Sequence, residues 1–386
     1  MSLRAEVLNR VKRGPAWLRE PLRAAWHGWK RIEPATVGAL RLIPRAIARA
    51  RPERRVLGIY HLQEHAGHLG DMVDFLEILN VLRVQHGLQK IDLCYIDDPS
   101  NPNHPISRTR LEASPEYKAM MLELRALLPG IGAVHHFDSD ADFERFFRSN
   151  FRRYVCWPRY GYFHTWPTAH NYFHISDRGY PFPNVFTPLD EFFASRGDLP
   201  KLACPPPLLE WARDFVREHV SPALPIVVQL RFNPDSPIRN TDAEAWTLFL
   251  QRMEGHPEFK FVVISRREEI LPELRQLRNV VYSKDHADGL MNDLALLQVG
   301  HLSMFPDAGF VTFPWFVGLP TIFLAKERHE FPHRRINDKR GGLRFLSRFQ
   351  RRRYGAYSTD TLEQEFRSLC SDLAAAGWRN PYMHSD

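Results

Sequence analysis

Pro225-Ile226-Val227-Val228-Gln229-Leu230, Lys260-Phe261-Val262-Val263-Ile264-Ser265, Val280-Val281-Tyr282, His301-Leu302-Ser303-Met304 and Thr321-Ile322-Phe323-Leu324 are five short apolar runs in one part of the chain. Each has the length and β-branched content of a strand buried on both faces. Between them the spacing predicts helices over 242–254, 267–276, 290–299 and 308–317. Strand and helix alternate, so this half reads as a doubly wound parallel sheet.

Working back from Pro225, residues 200–225 hold Pro200, Pro205, Pro206, Pro207, Pro222 and Pro225 around a predicted helix at 208–219. Proline at this density marks a boundary. Before it, Val56–Tyr60, Ile91–Ile96, Val134–Phe137 and Tyr154–Trp157 read as strands, with helices over 71–86, 115–128 and 140–149. That is the start of a second parallel sheet. The expected fold class is therefore α/β, with two Rossmann-like domains facing a cleft and an N-terminal helical extension. The expected division is 1–54 for the extension, 55–205 and 206–350 for the two domains, and 351–386 for a tail. The tail holds a helix near 361–376, and a return of it to the first domain is left open.

The chain has 386 residues, with 52 Lys and Arg against 45 Asp and Glu, a net charge of +7. Residues 1–55 contain twelve Arg and two Lys against four Glu, a net +10, so the remainder carries −3. The basic character belongs to the extension, which argues against a nucleic-acid partner. Trp17, Leu18, Leu22, Trp26 and Trp29 recur at helical spacing among Arg19, Arg23, Lys30 and Arg31. Two readings stay open for residues 1–50: peripheral contact with an anionic membrane, or an extension packed on the body or disordered. The four cysteines have no CxxC spacing, so a reducing, cytoplasmic setting is expected, at the inner face of the membrane if the extension binds it. We read no signal peptide and no membrane-spanning run.

Ligands of open α/β sheets bind beyond the carboxyl ends of the strands. After the first strand of the second half stand Arg231 and Asn233, and Arg239 and Asn240 close the same loop. Two arginines there match the planar geometry of a diphosphate, or are a surface pair. Ser265 and Arg266 follow the second strand, and Ser283 the third, where a base or ribose fits. After the fourth, Asp307, Ala308, Gly309 and Phe310 open a helix: a phosphate-binding turn, or a plain turn capped by Asp307. In the first half, Gly67-His68-Leu69-Gly70-Asp71 joins strand to helix without the dinucleotide fingerprint. Asp71 is either a general base or an ordinary cap. His164, His170 and His174 have no standard ligand spacing, so no metal and no cofactor is expected.

Asp307-Ala308-Gly309, followed by Gly318-Leu319-Pro320 before the next strand, and Gly70-Asp71 in the first half together resemble GT-B glycosyltransferases, closest to the heptosyltransferase-like group. The resemblance covers residues 56–80 and 226–325. A histidine common in that group three residues after the Gly is Thr312 here, and residues 157–186 have no counterpart. The resemblance implies inverting, metal-independent transfer from a nucleoside diphosphate sugar to a surface polysaccharide or lipid-linked glycan in the cell envelope, with Asp71 as base. An epimerase or pyruvyl transferase on the same scaffold, and a non-catalytic protein, are the other readings.

Overall fold

A computed structural model of the protein describes residues 54–62, 69–98, 115–157, 159–160, 187–232, 240–306, 312–325 and 343–383. The extension, the three histidines above, Asn233, Arg239 and Asp307 to Phe310 lie outside the described residues, as does the side chain of Asp71.

In the first half, β1 (Arg55–His61), β2 (Ile91–Ile96), β3 (Ile131–Phe137) and β4 (Tyr154–Cys156) pair in parallel in the order β3-β2-β1-β4. A short β5 (Arg159–Tyr160) also lies along β1. Helices α1 (Leu69–Gln85), α2 (Pro115–Glu123), α3 (Asp140–Asn150) and α4 (Thr187–Arg196) follow their strands. Side chains alternate across the sheet, as the pleat requires. Leu57, Ile59, Cys94 and Ile96 meet Phe143 of α3, while Val56, Tyr60, Leu93 and Tyr95 join the cluster that contains α1. A Cβ at Gly58 would lie 2.5 Å from Leu79 Cδ1, so the absent side chain lets α1 settle on β1.

The second half begins with α5 (Pro206–His219), whose opening proline sits where a helix N–H would find no intrahelical acceptor. It continues through β6 (Leu224–Val228), α6 (Ala243–Arg252), β7 (Phe259–Val263), β8 (Val280–Tyr282), α7 (Leu290–Val299), β9 (Leu302–Phe305), α8 (Thr312–Val317), β10 (Thr321–Ala325), β11 (Gln350–Tyr354) and α9 (Thr359–Ala375). The sheet is parallel throughout, in the order β8-β7-β6-β9-β10-β11. Counted from β6 this is 3-2-1-4-5-6, the Rossmann order, with its reversal point between β6 and β9. Ile226, Val228, Phe261, Val263, Met304 and Ile322 pack on α6 and α9, and Val227, Val262, Phe305 and Phe323 face the other way.

Two expectations change, and one open position is filled. The helix expected over 267–276 is two short 3-10 turns, Arg267–Glu269 and Pro272–Gln276. Pro272 has no N–H to donate and holds Leu271 extended, at φ −84° and ψ 118°. The stretch Gln350-Arg351-Arg352-Arg353-Tyr354 is a sixth strand, so the second sheet runs past residue 350. And the tail helix, whose place was left open, is α9 on α6 of the second sheet, where Leu362, Phe366 and Leu369 meet Trp246 and Phe249.

The halves meet through helices. α1 is buried on almost every side, because it packs on β1 and β2 at one face and on α4 and α8 at the other. One apolar cluster runs from Leu76 and Leu79 of α1 through to Phe313 and Phe316 of α8.

Candidate functional site

The reversal point of the second sheet puts the exits of β6 and β9 side by side. Past β6 the Gln229 amide donates to the Met304 carbonyl of β9 at 3.2 Å. Gln229 is buried, and its side-chain oxygen has no hydrogen-bond partner among the described residues. It is a polar residue at the carboxyl end of an apolar run, the one signal that marks it in the sequence.

The loop after β6 is pinned at its base. The Arg231 amide donates to Thr241 Oγ1 at 2.8 Å, and the Thr241 amide donates back to the Arg231 carbonyl at 2.9 Å. Half-buried Arg231 and Asn240 are thereby brought together at the strand exit. Asn233 and Arg239 fall between these two positions in sequence, outside the described residues.

Two expected contacts are corrected. Ser265 is buried, accepting from the Leu230 amide at 2.8 Å and donating to the Leu230 carbonyl at 3.0 Å. Its hydroxyl is consumed in holding the exits of β6 and β7 together. Ser283 is fully buried and donates to Asp293 Oδ1 at 2.9 Å. Lys284 Nζ meets the other Asp293 oxygen at 2.5 Å. Burial pushes the Asp293 carboxyl up to about 6, against the pull of Lys284. This buried cluster fixes the loop after β8; neither serine is available to a ligand in this arrangement.

Arg266 remains exposed near the same rim. Its guanidinium lies 3.2 Å from Glu268 and 3.7 Å from Glu269. Glu269 is buried and accepts from the Phe232 amide at 3.2 Å, linking the loops after β6 and β7.

The first sheet contributes the start of α1. Gly70 and Asp71 occupy its first turn. The Gly70 carbonyl accepts from the hydroxyl of Thr312, the first residue of α8, at 3.5 Å. Thr312 stands two positions after Phe310. The first turn of α1 and the first turn of α8 therefore meet from opposite halves. Thr312 is itself buried and serves this contact.

No protein-family model matches the chain, and no curated protein matches it in sequence. Solved structures do. The ADP-heptose LPS heptosyltransferase II of E. coli aligns with a TM-score of 0.50 at 10% identity, over 82% of this chain and 99% of that one. The chain has the heptosyltransferase-like GT-B fold. A glycosyl transferase of family 9 from Veillonella parvula aligns equally, with a TM-score of 0.50 at 12% identity over 83% and 97% of the two chains. UDP-GlcNAc 2-epimerase from Neisseria meningitidis aligns with a TM-score of 0.39 at 10% identity, over 85% and 95%. Among the described residues no helix is long and apolar enough to cross a membrane, and no group of three or more His, Cys, Asp or Glu is placed to hold a metal ion.

Proposed function

We propose that the protein transfers a sugar from a nucleoside diphosphate sugar to a hydroxyl of a surface polysaccharide or lipid-linked glycan, with inversion and without a metal. The observation that carries this reading is the contact between Gly70 and Thr312. It sets the first turn of α1 against the first turn of α8, the helix that comes after β9 in the chain. The first turn of α1 contains Asp71 in sequence, and the second sheet brings a polar strand exit, a pairing that suits transfer between two bound molecules.

In this reading Asp71 takes the proton from the acceptor hydroxyl as its oxygen bonds to the anomeric carbon. The bond from that carbon to the diphosphate breaks, and negative charge gathers on the leaving group. Arg231 and Arg239 meet that charge, together with the N–H groups around Gly309, before it is solvated. Packing of α1 on α8 keeps water from the junction and so limits hydrolysis of the donor. The likeness to an ADP-heptose heptosyltransferase supports a sugar-nucleotide donor. The setting we propose is cytoplasmic, at the inner face of the membrane, with residues 1–50 as the peripheral contact.

A thermal-shift screen against ADP, GDP, UDP and dTDP tests the site and names the base. A stabilising nucleotide at a hundredfold excess over its Kd adds about 2.7 kcal/mol. Arg231→Ala should abolish that shift, and Asp71→Ala should remove transfer while leaving the shift in place. Donor turnover that needs no acceptor would instead favour the epimerase reading. Unchanged transfer in both variants ends the assignment.

A further inference from the structure

A cavity of about 420 Å³ opens between residues 193–201 of the first half and the second half. Gly318 and Leu319, which lead into β10, and Ser347 and Gln350, which lead into β11, line it. It therefore lies at the amino ends of the strands. β10 alone, at roughly 3.3 Å per residue over its five residues, separates it by about 16 Å from the carboxyl ends.

The walls are aromatic. Phe193 at the end of α4, Trp315 of α8, Phe345, Trp378 and Tyr382 converge from four separate stretches of chain. Trp378 is held firmly: its indole N–H donates to the His301 carbonyl at 3.3 Å, and its ring packs by Phe349. Trp315 is 7% exposed, and its indole N–H has no acceptor among the described residues. A buried donor without a partner is uncommon and costly. At the mouth stand Asp198 and Lys201, paired at 2.8 Å. The Leu199 amide and Lys201 Nζ both bond the same Asp198 oxygen, Oδ1, so Oδ2 has no hydrogen bond among the described residues.

Flat aromatic faces, a stranded N–H and a carboxylate with an ammonium at the rim suit a pyranose ring. Its C–H faces pack on aromatic rings while its hydroxyls both donate and accept. We propose that this cavity is a second saccharide site, which takes one or two pyranose units of the glycan acceptor at a distance from the transfer junction. The assignment of the occupant rests on the proposed glycan acceptor. A fatty chain would use the rings equally but would leave the Trp315 donor and the Asp198 carboxylate unanswered.

The test is titration of the full chain, without nucleotide, with maltotriose, laminaritriose and triacetylchitotriose, and separately with octanoate. Binding is read by tryptophan fluorescence and saturation-transfer NMR. At least one trisaccharide should bind, weakened about tenfold by Trp378→Ala, the loss expected for one aromatic contact. Asp198→Asn, on the exposed rim, should weaken the same sugar without disturbing the fold, and Arg231→Ala should leave it unchanged. Binding of octanoate alone, of no trisaccharide, or binding that survives both Trp378→Ala and Asp198→Asn, overturns the proposal. So does binding lost in Arg231→Ala, which would put the sugar at the junction. Because no nucleotide is present, a negative result here leaves the donor screen standing, and a failed donor screen leaves the sugar titration standing.

Discussion

Glu77 sits midway along α1, fully buried, and among the described residues neither of its carboxyl oxygens meets a donor in good hydrogen-bond geometry. Burial raises its pKa well above the usual carboxylate range, and Asn80 and Lys201 nearby only partly offset this. Below about pH 4.3 a glutamate is protonated in the folded and the unfolded chain alike, so it adds no pH dependence. Above that pH the unfolded chain releases its proton while the folded chain keeps it. Stability then falls with rising pH, by about 1.4 kcal/mol per unit, until the folded group ionises. Glu77→Gln keeps the shape and cannot ionise. Its melting temperature should therefore rise relative to the parent's as pH increases, the gap widening by about 2 °C per unit. Asp293, pushed up to about 6, titrates in both proteins and cancels from the difference. Scanning calorimetry at pH 5, 6, 7 and 8 reads the gap directly. A gap that stays constant over that range, or a parent more stable than the variant at pH 8, would refute the burial of an uncharged acid at this point.

Lys284→Met leaves Asp293 buried without its cation and should cost about 3–5 kcal/mol in urea unfolding, with Asp293→Asn in the same chain recovering part of it. Ser265→Ala removes both bonds to Leu230 and should lower stability by about 1–3 kcal/mol with no nucleotide present; an effect confined to ligand binding would restore Ser265 to the donor contacts. Gly318→Ala meets only Lys201 Cε and Nζ, at 3.6 and 3.7 Å, so its cost should be that of the backbone alone, about 1–2 kcal/mol at φ +77°.

The sheet of the second half was legible because each strand is a short apolar run and each gap fits a helix; β6, β7, β9 and β10 fall within a residue or two of the expected ranges. β11 was not, since alternation cannot be read through three consecutive arginines. Its charges are answered only in three dimensions, by Asp372 at 2.5 Å from Arg351 and Glu365 at 2.7 Å from Arg353, both on α9. The same limit governs the site. A polar residue at a strand exit has two destinations, a ligand or the neighbouring loop, and the one-dimensional pattern is identical for both. Ser265 and Ser283 were drawn to the ligand by position, yet each is spent on its own scaffold, on Leu230 and Asp293. Gln229 passed unnoticed as the tail of a strand, though its buried oxygen has no partner at the reversal point. What separates the two cases is whether the side chain's hydrogen-bonding capacity is already filled by the fold. Hence Gln229→Leu, which removes an unfilled acceptor, should cost nucleotide affinity while leaving the unliganded melting temperature unchanged or higher. If instead it lowers that temperature and leaves affinity intact, Gln229 belongs with the serines.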